Sequence, residues 1–301
     1  MRKISIFNQK GGVGKTTSVV NIAVALTKLE KKVLVIDMDP QANTTTGLGL
    51  DKYTDDDSIY DLFYELDDNI EIDDNIENEE EKSVEIEKED EEKVDTTSKS
   101  LNEEDDEEKI NEDKIIDFSK YISKTESGVF LIKSESSLSG LEVELVSLDP
   151  VKRTQVLKNI VDRIDDSYDY LIIDCPPSLG LLSINALVAS DSIVIPIQTE
   201  YYALEGVSEL MNTYKLVKDS LNENLDIEGV LLTMFDKREN LSYEVVEEVK
   251  TYFKKKVFRT MIPRNARLAE APSYGKSVIE YEERSKGSVA YKMLATEIID
   301  R

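Results

Sequence analysis

Two lysines, three glycines and two threonines stand within eight residues near the start of this chain, Lys10-Gly11-Gly12-Val13-Gly14-Lys15-Thr16-Thr17. Closely spaced glycines let successive backbone N–H groups curl around an anion, a lysine adds positive charge, and a hydroxyl can ligate a divalent cation. That combination is phosphate chemistry. Acids stand at the ends of two apolar runs: Asp37 and Asp39 after Val33-Leu34-Val35-Ile36, and Asp174 after Leu171-Ile172-Ile173. Beside a Mg²⁺-bound triphosphate, such carboxylates hold metal-bound water or orient the water that attacks phosphorus. There is no histidine, which excludes histidine acid–base catalysis. The single cysteine, Cys175, can form neither an internal disulfide nor a multi-cysteine metal site, and it reads as a small buried filler.

These residues need a scaffold that brings strand ends together. Ile4-Ser5-Ile6-Phe7 is a buried strand, and the apolar residues of 18–26 recur at helical spacing. Strand, glycine loop and helix are the context in which Gly-x-Gly-Lys-Thr acts as a P-loop, with residues 11–17 cradling phosphates, Lys15 reaching the β- and γ-phosphates and Thr16 ligating Mg²⁺. Asp174, at the end of the strand 168–174, holds Mg²⁺ through water in a Walker B position, with Asp37 as a further metal-site candidate. Pro176 and Pro177 force an extended exit from that strand. Continuous apolar runs at 33–36, 128–132, 168–174, 191–197 and 227–234 predict buried parallel strands, and a last short strand is expected within 257–265. Helices are predicted over 58–66, 153–164, 185–190, 200–221, 244–256 and 289–299. The fold class is therefore α/β: a doubly wound, mostly parallel sheet with helices on both faces.

The net charge of −26 is concentrated in one stretch. Residues 65–113 hold 25 acidic side chains against five lysines, so twenty of those charges lie there and only six elsewhere. Segment 67–113 has sparse isoleucine and no aromatic residue, too little apolar surface to offset the entropy of ordering. It is predicted to be a disordered acidic insertion in a single P-loop domain formed by 1–66 and 114–301. It reads either as a solvated spacer or as a polyanionic arm that competes with DNA for a basic face of the same molecule or recruits a basic partner. No apolar run approaches the length of a membrane span and no signal peptide is visible, so a soluble, intracellular protein is expected.

Lys10 is surplus to an ordinary P-loop. Taken alone it also reads as a solvated loop lysine, but Lys-Gly-Gly-x-Gly-Lys-Thr-Thr resembles the deviant Walker A of the ParA/MinD class of ATPases. That resemblance implies that Lys10 crosses a dimer interface to the phosphates of the other subunit. Asp37-Met38-Asp39-Pro40-Gln41 resembles the second signature of the ParA group and implies that Asp39 organises the hydrolytic water, whereas by itself the piece also reads as a strand-ending turn. The segment from Asp174 through Ser178 resembles a γ-phosphate switch. Residues 200–206 and 262–276 resemble the short Soj-type ParA proteins that segregate chromosomes and low-copy plasmids. The resemblance implies ATP as nucleotide, with Met234, Pro263, Arg264 and Asn265 near adenine. It further implies an ATP-bound homodimer on non-specific double-stranded DNA, nucleoid association in the cytoplasm, and a ParB-type partner that stimulates slow hydrolysis. Operator-specific DNA binding is not expected, because only three residues precede the first strand.

Candidate DNA-phosphate contacts are Lys215, Lys218, Lys237, Arg238, Lys254 and Lys255, each of which also reads as a solvated surface charge. A MinD-like membrane ATPase is the alternative; it requires an amphipathic C-terminal anchor, and Glu297-Ile298-Ile299-Asp300-Arg301 is not one. An iron–sulfur electron carrier of the same fold needs two cysteines per subunit. A non-hydrolysing adaptor would not need Lys15, Thr16, Asp39 and Asp174 together.

Overall fold

Apolar runs that end in acid build the middle of a sheet whose helices lie on both faces. The structure, a computed structural model, describes residues 1–54, 56–66, 116–200 and 205–301. The strands are β1 (Arg2–Ile6), β2 (Val33–Asp37), β3 (Ile122–Lys124), β4 (Phe130–Ile132), β5 (Tyr170–Asp174), β6 (Ser192–Gln198) and β7 (Asp226–Thr233). They form one sheet in the order β3-β4-β2-β5-β1-β6-β7. Every pairing is parallel except β3 with β4, an antiparallel edge. In register, Asp37 of β2 is the cross-strand partner of Asp174 of β5. The two acids separated by 137 positions in sequence are thereby neighbours at one sheet end.

The helices are α1 (Lys15–Lys28), α2 (Asn43–Gly47), α3 (Ile59–Leu66), α4 (Leu138–Leu145), α5 (Val156–Val161), α6 (Leu181–Val188), α7 (Glu205–Ser220), α8 (Asn240–Phe253), α9 (Ala266–Glu270), α10 (Val278–Tyr281) and α11 (Lys286–Ile299). Strand side chains alternate between two cores. Val33, Val35 and Ile172 pack with Val19, Ile22, Tyr291 and Leu294 beneath α1 and α11. Leu34, Ile36, Leu171 and Ile173 pack with residues of α3, α5 and α6 on the other face. Both faces being covered explains why these strands read as unbroken apolar runs rather than alternating ones. The predicted insertion 67–113 lies outside the described residues, as do residues 201–204 at the predicted start of α7.

Two predicted elements are corrected. The helix expected over 153–164 divides into a 3₁₀ turn (Lys152–Thr154) and α5. The cause is Asn185: its Nδ2 donates to Arg153 O at 2.8 Å and its Oδ1 accepts from Leu157 N at 3.1 Å, inserting an amide where one helical hydrogen bond would close. The strand expected within 257–265 is reduced to single bridges, Val257 with Val230 and Pro263 with Phe235. Between them the carboxylate of Glu297 on α11 takes the amides of Arg259 and Thr260 at 2.8 and 3.0 Å, so they are lost to β7. In addition, α8 begins four residues before its predicted start and ends in a 3₁₀ turn, Lys254–Lys256.

Candidate nucleotide-binding and hydrolytic site

The glycine loop leaves β1 and enters α1 through left-handed backbone, φ 75° at Gly12 and 92° at Gly14, a conformation that costs glycine little. No side chain caps the start of α1, so its first amides remain available for an anion. A side-chain carbon built on Gly11 or Gly12 would meet nothing within 4 Å, which is the opening of a cradle. The loop is held from outside. Thr233 Oγ1 donates to Val13 O at 2.8 Å, Asn8 Nδ2 to Pro196 O at 2.7 Å, and Gln9 Nε2 to Thr213 Oγ1 at 2.8 Å. Lys15 is buried, and its Nζ donates to the Lys10 carbonyl at 3.0 Å. Burial pulls its pKa below the ordinary value, opposed by the charges of Asp174 and Asp39. Lys10 itself is exposed at the loop's rim.

The acidic side of the site is built by β2, β5 and α2. Asp174 is fully buried, and its Oδ2 accepts from Thr16 Oγ1 at 2.9 Å and from Thr44 Oγ1 at 2.6 Å. Its Oδ1 is buried without any hydrogen-bond partner. An unpaired carboxylate oxygen beside the P-loop threonine fits the oxygen-only, partly hydrated coordination that Mg²⁺ prefers. Among the described residues no group of three or more acidic, histidine or cysteine side chains could hold a metal, so this is not a site for an all-protein cage. Burial, and then the neighbouring Asp37 charge, raises the Asp174 pKa; burial likewise raises that of Asp37.

Asp37 is already engaged. Its Oδ2 accepts from Thr45 N and Oγ1 at 2.8 and 2.7 Å, and its Oδ1 from Asp39 N at 3.2 Å. In this conformation it anchors α2, with two bonds on Oδ2 and one on Oδ1. Asp39 is nearly buried; its Oδ1 accepts from Gln41 N at 3.0 Å, which fixes the carboxylate while leaving the other oxygen for the site. Cys175 is fully buried, and burial together with Asp174 pushes its thiol pKa up, as befits an inert filler.

A cavity of about 390 Å³ opens from Gly14 and Thr17 and runs between Met234, Pro263, Arg264 and Asn265. The four residues predicted near the base thus line one cavity continuous with the phosphate loop. Met234 leaves β7 in left-handed backbone, φ 54°, which turns the chain toward Pro263. Asn265 Oδ1 caps α9 through Arg267 N at 2.9 Å, and Arg264 pairs with Glu200 at 3.1 Å. Thr44, Thr233 and Tyr291 also belong to the site and were not singled out from sequence. Thr44 had a signal, the run Thr44-Thr45-Thr46 five residues after Asp39; Thr233 and Tyr291 had none.

The basic residues divide into two groups. Lys237 and Arg238 precede α8 at the carboxyl end of β7, and Arg238 is paired with Asp236. Lys254 and Lys255 follow α8, whose 14 residues span roughly 21 Å. Lys215 and Lys218 lie near the end of α7, toward the amino end of β7, and Lys218 Nζ is bound to Leu225 O. The six candidates do not form one cluster.

The AAA domain family matches residues 1–227. The chain is 45% identical over 295 residues to the sporulation initiation inhibitor protein Soj of Bacillus subtilis, covering 98% of this chain and 97% of that protein. It is 41% identical to the chromosome partitioning protein ParA of Myxococcus xanthus, covering 100% of this chain and 88% of the relative. Among solved structures it resembles a cobyrinic acid a,c-diamide synthase from Mycobacterium smegmatis with bound ADP and magnesium. That match has a TM-score of 0.72 and 27% identity, and covers 99% of this chain and 94% of the other.

Proposed function

Because this chain belongs to the ParA/Soj family of partitioning ATPases, we propose that it hydrolyses Mg²⁺-ATP to switch between DNA-bound and free states during segregation of a chromosome or plasmid. The observation that carries this reading is the continuity of the phosphate cradle with the cavity lined by Met234, Pro263, Arg264 and Asn265. Loop amides of residues 11–17 and Lys15 would bind the β- and γ-phosphates, with Lys15 leaving the Lys10 carbonyl to do so. Thr16 and the free oxygen of Asp174 would hold Mg²⁺, which when bound neutralises charge on the phosphate oxygens. Asp39, held by its own loop, would orient the attacking water in line with the bond from the γ-phosphorus to the leaving ADP oxygen.

The finer parts of the cycle rest on family membership and on Lys10. Its exposure at the rim of the cradle suits a side chain that reaches the phosphates of a second copy, making the closed homodimer part of the nucleotide site. Catalysis by positioning and charge stabilisation is slow until a partner completes the geometry. A ParB-type protein is that partner in this reading, non-specific duplex DNA is the track, and the nucleoid is the location. The single domain comprises residues 1–66 and 114–301 interrupted by the acidic stretch. Among the described residues no helix is long and apolar enough to cross a membrane.

The test is binding to a labelled non-specific duplex with ATP, ADP or no nucleotide, at low and moderate salt. ATP-dependent, salt-sensitive binding is expected. Binding that ignores the nucleotide, or no binding under any condition, would overturn the DNA-switch reading.

A further inference from the structure

Helix α2 contributes more to the site than the loop that carries Asp39. Thr44 is fully buried, and its hydroxyl donates to Asp174 Oδ2 at 2.6 Å, closer than the 2.9 Å from Thr16 to the same oxygen. The next residue, Thr45, docks on Asp37 through both its amide and its hydroxyl. Ser134 closes the arrangement, with its Oγ donating to Asp39 O at 2.7 Å and its amide to Thr45 Oγ1 at 3.1 Å. One short helix is thereby fastened to both acidic strand ends and to the backbone of Asp39.

Two donors on one carboxylate oxygen have a geometric consequence. Rotation of the Asp174 carboxylate about its terminal torsion would break both bonds, so Oδ2 is fixed toward the threonines and Oδ1 is held in one position, buried and unpaired. Thr16 cannot provide this fixing alone. A single donor leaves the carboxylate room to pivot about that one bond, whereas two donors from different elements hold it.

We propose that Thr44 is a positioning residue that locks the rotation of the Asp174 carboxylate, so that its free oxygen meets the divalent cation and α2, with the Asp39 loop, is tied to cation occupancy. The inference rests on the assignment of Asp174 as the cation-holding acid. Groups behind the first ligands typically change metal affinity by about 10- to 100-fold when removed, and the lower end is expected here because Thr16 remains.

The experiment uses the full chain as wild type, Thr44→Val, Thr44→Ala and Thr44→Ser. A fluorescent ATP analogue reports binding across a Mg²⁺ titration and again in EDTA. Expected is an approximately tenfold rise in the Mg²⁺ midpoint for Thr44→Val and Thr44→Ala, with EDTA affinities unchanged and Thr44→Ser within about twofold of wild type. A midpoint within about twofold of wild type in both Thr44→Val and Thr44→Ala, or an equal loss of binding in EDTA, would overturn the proposal. Cooperative melting of Thr44→Ser but of neither other variant would assign Thr44 to the core and overturn it as well. If wild-type binding ignores Mg²⁺ altogether, the assignment of Asp174 fails first and takes the inference with it.

Discussion

Replacing Asp174 by Asn should stabilise the metal-free protein while removing its response to Mg²⁺. Asp37 and Asp174 are fully buried cross-strand neighbours, and burial raises both pKa values. Between the ordinary carboxylate pKa near 4 and the raised native value, the folded protein retains a proton that the unfolded chain has released. Stability of the apoprotein therefore falls as pH climbs through that window. A fully buried carboxyl beside a second one moves by several pH units at about 1.4 kcal/mol each, so relief of even half of that is worth about 3 kcal/mol at pH 7.5. For a domain of this size that corresponds to a melting-temperature rise of roughly 6–12 °C. The Asn oxygen can still accept from Thr16 and Thr44, so the packing of α2 is retained. The assay is calorimetry in EDTA from pH 5.5 to 8.0, a range that avoids the pI of about 4.4. The gap between Asp174→Asn and wild type should widen with pH, whereas adding Mg²⁺ in the presence of ATP should raise the melting temperature of wild type only. A variant less stable than wild type throughout, or a gap independent of pH, would refute the view that buried like charge is held in reserve for the cation.

Four further outcomes follow from the same geometry. Lys10→Ala should leave nucleotide affinity within about twofold while abolishing the ATP-dependent dimer on size-exclusion chromatography, because only the Lys10 carbonyl serves its own site. Asp39→Ala should bind ATP and DNA but lose at least about 100-fold in partner-stimulated phosphate release, the usual scale for a water-orienting group. Charge reversal should separate the two basic groups: Lys237→Glu with Arg238→Glu, compared with Lys254→Glu with Lys255→Glu, should reduce DNA affinity and its salt slope at one end of α8 only. Gly229→Ala should cost about 2 kcal/mol in denaturant titration, since a new methyl group would sit 2.4 Å from the Phe258 ring.

Sequence alone determined what local chemistry dictates. The glycines and lysines at 10–15 can serve little besides a phosphate, and apolar runs ending in Asp37 and Asp174 announce buried parallel strands whose carboxyl ends face a ligand. Family signatures pointed to four residues that line one cavity with the loop. Tertiary structure decided whatever depends on partners distant in the chain. Asn185 divides a helix 28 positions away from it, Glu297 takes the amides of a would-be strand, and α8 separates cations that look clustered when written in a line. The same holds within the site: Asp37 turns out to anchor Thr45, and Thr44, an unremarked threonine in sequence, closes on Asp174 from 130 positions away. Residue types and short periods record what a segment can bond to, but which buried carboxylate keeps a free oxygen is settled only when every other donor has been placed.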